Sequence, residues 1–72
     1  MSEDETDFLV RRGAYSETLG DQHIISMEFK KAAVLYKEAF GYFKKAGDKE
    51  RCIRIKEKYD SAISKMKEKE QE

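Results

Sequence analysis

The sequence predicts an all-α, antiparallel three-helix bundle, and three observations carry that expectation. Apolar residues recur every three or four positions through residues 29–46 and again through 49–69, and no stretch competes as a strand. No proline interrupts the chain. The one strong punctuation mark, Gly47-Asp48, makes a turn so short that the helices on either side must be antiparallel neighbours. With 72 residues there is material for one domain with a small core.

The first helix is expected over about 5–26. Phe8, Tyr15 and Leu19, flanked by Ala14 and Ile25, make a loose apolar stripe there, which is expected to pack on the middle helix. Gly13 and Gly20 each cost about 1 kcal/mol against alanine inside a helix. A short, kinked or frayed helix is therefore expected, ending near Ser26 or Met27. The second helix, 28–46, carries the densest pattern in the chain: Phe29, Ala32, Leu35-Tyr36, Ala39, Tyr42-Phe43 and Ala46. Small residues at that spacing let a neighbouring backbone approach, while the aromatics fill the gaps between. Its apolar residues cover nearly half the helical wheel, so it needs two neighbours and belongs at the centre.

Gly47 can take the left-handed conformation that ends this helix, and Asp48 can cap the next. The third helix, 49–69, shows one narrow stripe of Cys52, Ile55, Tyr59, Ala62 and Met66, with Ile63 beside it. The first six residues and the closing Lys67-Glu68-Lys69-Glu70-Gln71-Glu72 are expected to be frayed.

Charged residues form 42% of the chain while the formal net charge is zero, which disfavours a general attraction to nucleic acid or anionic membrane. The distribution is uneven. Residues 1–28 hold seven acids and two bases and residues 29–72 hold thirteen bases and eight acids, a split of −5 and +5. An acidic first helix lying against a basic hairpin accounts for it. A basic face for a partner is the competing explanation.

The lone Cys52 permits no intrachain disulfide, has no metal-ligand spacing around it, and falls on the third helix's packing stripe. His23, the only histidine, reads as a polar residue at a helix end. With no catalytic constellation in the chain, neither an enzyme nor a cofactor is expected. No apolar run approaches the ~18 residues that would span a membrane, and the acidic start Met1-Ser-Glu-Asp-Glu-Thr-Asp is unlike a signal peptide, so a cytoplasmic location is expected.

Leu19-Gly20, Ala32, Tyr36 and Ala39 resemble the small and aromatic positions of a single tetratricopeptide motif. A closer resemblance is to the MIT (microtubule-interacting and trafficking) domain. The second helix of that family matches Phe29, Ala32, Leu35-Tyr36, Ala39 and Tyr42-Phe43 without a gap, and its third resembles Tyr59, Ala62 and Met66-Lys67. The chain departs from the family at Asp60, where the third helix usually has leucine, and in its short turn at Gly47-Asp48. The resemblance implies a three-helix bundle that binds a short helical peptide in a groove between helices.

The function expected is a protein-interaction module of this kind. Val34 and Ile53 lie off their helices' main stripes among charged neighbours and are candidate contacts for a partner helix. Arg51, Arg54, Lys58 and Lys65, continued by Lys69, fall on one side of the third helix and could meet an acidic partner or remain a solvated face. The alternative is a self-associating structural or adaptor protein that buries one face in a homodimer. Nucleic-acid binding through the basic helix is the least favoured, because the polar face lacks aromatic stacking residues and a reading motif.

Overall fold

The computed structural model describes residues 3–71, which form three helices and no strand: α1 Glu3–Ile25, α2 Phe29–Ala46 and α3 Lys49–Gln71. Glu3, Asp4 and Glu5 occupy the first turn of α1, where acidic side chains complement the exposed amide end of a helix. At the other end, the Met27 amide bonds the Ile24 carbonyl at 3.0 Å and the Glu28 amide bonds that of His23 at 2.8 Å. This is the Schellman pattern, and it requires a left-handed residue. Met27 supplies it, at φ 61°. The second turn repeats the pattern with Gly47 at φ 74°, the Gly47 amide reaching Lys44 and the Asp48 amide reaching Phe43. Asp48 then caps α3, its carboxylate accepting the Arg51 amide at 3.0 Å.

The decisive packing lies between α1 and α2. A Cβ on Gly13 would sit 2.5 Å from the ring of Phe43, and one on Gly20 would sit 2.6 Å from the ring of Tyr36. Two aromatic rings therefore rest directly on the α1 backbone. The residue order is reversed between the pairs, so the helices are antiparallel, and both pairs are seven positions apart, two helical turns. Phe43 is fully buried and Tyr36 is 2% exposed. Ala32, Ala33 and Ala39 complete the buried side of α2, while Ile55 and Ala62 of α3 close the core from beyond it. The middle helix is central, as the breadth of its apolar pattern implies.

Several expectations give way. Gly13 and Gly20 neither shorten nor fray α1, which runs unbroken for 23 residues; their helix-propensity cost is offset by the aromatic contact that their missing side chains permit. The expected apolar stripe of α1 is not its packing face. Phe8 is 55%, Tyr15 64% and Ile25 82% exposed, whereas Gly13, Ser16, Glu17 and Gly20 are buried. The large side chains at this interface come from α2, so α1 must contribute its small ones. Helices α1 and α3 also extend past the expected limits of 5 and 69, through segments expected to be frayed. The same expectation for residues 1, 2 and 72 lies outside the described residues.

Alanine substitution separates the glycines. Gly13→Ala and Gly20→Ala should each destabilise the fold by about 1–2 kcal/mol, because overpacking against a buried ring exceeds the propensity gain. Gly41, where an added Cβ meets nothing within 4 Å, should respond with about 0.5–1 kcal/mol of stabilisation. Urea unfolding followed by circular dichroism measures all three.

Candidate functional site

Two surface features follow from this packing. The first is the seam between α1 and α3, which is made chiefly of ion pairs. Glu17 is only 7% exposed. Arg54 grips its carboxylate with two hydrogen bonds, Nε to Oε2 at 3.0 Å and Nη2 to Oε1 at 2.7 Å. Lys58 reaches Glu17 Oε2 at 2.9 Å and both oxygens of Asp21 at 3.1 Å. The Tyr36 hydroxyl enters the network from α2, donating to Asp21 Oδ1 at 2.6 Å. All three helices thus meet at one polar cluster. Both α1–α3 links join residues 37 positions apart, so these helices run parallel and in register.

Burial pushes the Glu17 carboxyl up, but the hydrogen bonds from Arg54 and Lys58 outweigh it and hold the group below its ordinary range. Lys58 behaves as its counterpart: burial works against the ammonium, and the two carboxylates more than compensate, raising it. Burial, followed by the bond to Asp21, raises the Tyr36 phenol. Among the described residues, no buried side-chain polar atom lacks a partner.

The second feature is a groove lined by Tyr36, Lys37 and Phe40 of α2 and Lys56 and Tyr59 of α3, with a volume of about 230 Å³. Its base is aromatic. Lys37 and Lys56 are exposed, and neither has an ion-pair partner among the described residues.

The structure does not gather the six candidate contact residues at one place. Val34 is 55% and Ile53 63% exposed. Val34 stands one turn before Lys37 and Ile53 one turn before Lys56. Because α2 and α3 are antiparallel, they bracket opposite ends of the groove and do not form one edge. Arg54 and Lys58 belong to the ionic seam, and Lys65 joins them along a depression that also includes Ile24, Glu57 and Ser61. Arg51 pairs with Asp48 at the start of α3. Lys69 stands apart again, bonding the Met27 carbonyl at 3.2 Å and lying over the Phe29 ring. His23 bonds Glu28 across the first turn at 3.2 Å.

Sequence reasoning passed over Glu17 and Asp21, although a signal was present. They are spaced i, i+4, as are Arg54 and Lys58, so two helices lying in register can zip opposite charges together. Lys37 and Lys56 were missed because isolated lysines on charged helices carry no distinguishing pattern.

Among the described residues, no helix is long and apolar enough to cross a membrane, and no group of three or more His, Cys, Asp or Glu side chains is placed to hold a metal. No family model, curated protein or solved structure matches the chain.

Glu17→Gln should lower stability at neutral pH by about 1–2 kcal/mol, through loss of charge-assisted hydrogen bonds. Because the folded-state pKa lies below the ordinary 4.5, the contribution of Glu17 is present above that pH and disappears as the pH falls through the depressed value. Urea titrations of both proteins from pH 7 downward should show the difference narrowing only below about pH 4.5.

Proposed function

We propose that the chain is a non-catalytic interaction module that holds a short amphipathic helix of a partner protein in the α2–α3 groove, in the manner of a cytoplasmic adaptor. The observation that carries this reading is the groove itself, whose aromatic base of Tyr36, Phe40 and Tyr59 lies between Lys37 and Lys56. At about 230 Å³ it is smaller than the roughly 300–1,000 Å³ typical of small-molecule pockets. It suits one or two apolar side chains projecting from a helix that extends beyond it on both sides. Val34 and Ile53, at its two ends, are placed to meet the next turns of such a helix.

The uncompensated lysines favour a partner helix with acidic residues flanking its apolar stripe. Arg54 and Lys58 are engaged with Glu17 and Asp21, which leaves Lys65 as the more available member of the basic ridge. The resemblance of α2 and α3 to the MIT family is consistent with a helix-binding role.

The test is to select helical peptides on the immobilised chain from a display library and to map the best binder by nuclear magnetic resonance on isotope-labelled protein. Selection should enrich acidic amphipathic helices, with the largest shifts at Tyr36, Phe40 and Tyr59. The Lys37→Glu, Lys56→Glu variant should bind the peptide at least about tenfold more weakly, and Val34→Glu, Ile53→Glu should also reduce affinity. Unchanged affinity in the lysine variant, or a footprint on another face, rules the groove out.

A further inference from the structure

The aromatic side chains of one α1 stripe, Phe8 and Tyr15, stand more than half exposed. Phe8, Arg12, Tyr15 and Leu19 recur at i, i+4, i+7 and i+11 and share one side of the helix. Arg12 ties this stripe to the outer flank of α2. Its guanidinium donates to the Tyr42 hydroxyl at 3.3 Å and lies 5.6 Å from the centre of the Tyr42 ring. Glu38, one turn before Tyr42, is near enough to act on the same guanidinium. The result is a continuous face on α1 and α2, built around Phe8, Arg12, Tyr15, Glu38 and Tyr42 and separate from the α2–α3 groove.

We infer that this face is the contact between two copies of the chain, placed antiparallel across a two-fold axis so that Arg12 of each approaches Glu38 of the other. Charge selects the occupant. An isologous contact sets a surface against itself, so a residue that meets a second residue in one direction is met by it in the other. The centre of this face, with the cation Arg12 and the anion Glu38 beside exposed aromatics, satisfies that condition, while Asp4 and Glu5 lie beside Phe8 at its end. The α2–α3 groove does not, because self-contact there would bring Lys37 and Lys56 against lysines.

The distribution of apolar residues points the same way. Among the described residues, Phe43 and Ile55 are the largest side chains in full burial, whereas Phe8 and Tyr15 are more than half exposed. A chain of this length gains from burying such surface in a second copy. The 23-residue α1 beside the 18-residue α2 offers a face about 27–34 Å long and about 18 Å wide. Its projection of about 550 Å² is of the same order as, and smaller than, the roughly 800 Å² of accessible surface that a standard interface buries per partner.

Sedimentation equilibrium on the full chain, with no added partner, tests the inference. The apparent mass should rise from the monomer value of 8.4 kDa toward twice that value as concentration increases through the micromolar to millimolar range. Phe8→Glu with Tyr15→Glu should remain monomeric while keeping its helical circular dichroism, since both side chains are already exposed. Val34→Glu with Ile53→Glu should dimerise like the native chain. A native chain that stays monomeric throughout overturns the inference, as does a dimer that survives the Phe8, Tyr15 substitutions. Loss of dimer in the Val34, Ile53 variant overturns it too, by moving self-contact to the α2–α3 side. Failure of the peptide selection leaves these outcomes unaffected, so the two surfaces are tested independently.

Discussion

Two aromatic rings seated on bare backbone set the geometry of this bundle. Phe43 on Gly13 and Tyr36 on Gly20 bring α1 closer to α2 than any side chain at those positions would allow. Because the pairs lie two turns apart on both helices, they determine the register as well as the distance. The polar seam depends on that register. Glu17 and Asp21 occupy the turns between and beside the glycines, and this placement presents them to Arg54 and Lys58. Tyr36 joins the two systems: its ring packs on Gly20 and its hydroxyl bonds Asp21.

The division of labour among the helices follows from where the volume resides. Helix α2 carries aromatics and alanines and can be buried from two directions. Helix α3 meets it with Ile55 and Ala62 and meets α1 with charge. The zero net charge and the −5/+5 split are thus reconciled in part by direct pairing across the seam. A seam of this kind contributes less stability than an apolar one of equal area, since desolvation opposes the attraction. Its advantage is specificity, because a one-turn slip of α3 would leave only one of the two cations at the carboxylates and bring Ala62 or Glu50 into the place of the other.

The fold class, the second turn and the central position of the middle helix were legible because periodicity and a glycine at a helix end report local constraints that survive in the folded state. The first turn was not, since Met27 adopts the left-handed conformation without being the residue type that announces it. The packing face of α1 was misread for a deeper reason. An amphipathic pattern identifies the side of a helix that carries apolar volume, but two facing helices need only one to supply it. Gly13 and Gly20 resembled defects because their purpose lies in Phe43 and Tyr36, more than a dozen residues away. Of the candidate contact residues, the exposure of Val34 and Ile53 was readable from their charged neighbours, whereas the engagement of Arg54 and Lys58 required knowing which acids face them.

With the bundle held in this way, two faces stand out among the described residues: a lysine-flanked aromatic groove on α2–α3 and an exposed aromatic stripe on α1 that Arg12 ties to Tyr42 of α2. Both adjoin the ring-on-glycine contacts: Tyr36, seated on Gly20, also lines the groove, and the seating of Gly13 and Gly20 against α2 turns the α1 stripe outward. The most direct test of those contacts is the proton chemical shifts of the Gly13 and Gly20 α-methylenes. Rings packed against them require pronounced ring-current displacements, with the Gly13 displacement removed by Phe43→Leu and the Gly20 displacement by Tyr36→Leu. Methylene shifts at ordinary helical-glycine values in the native protein would contradict the packing on which the register, the polar seam and both outer faces rest.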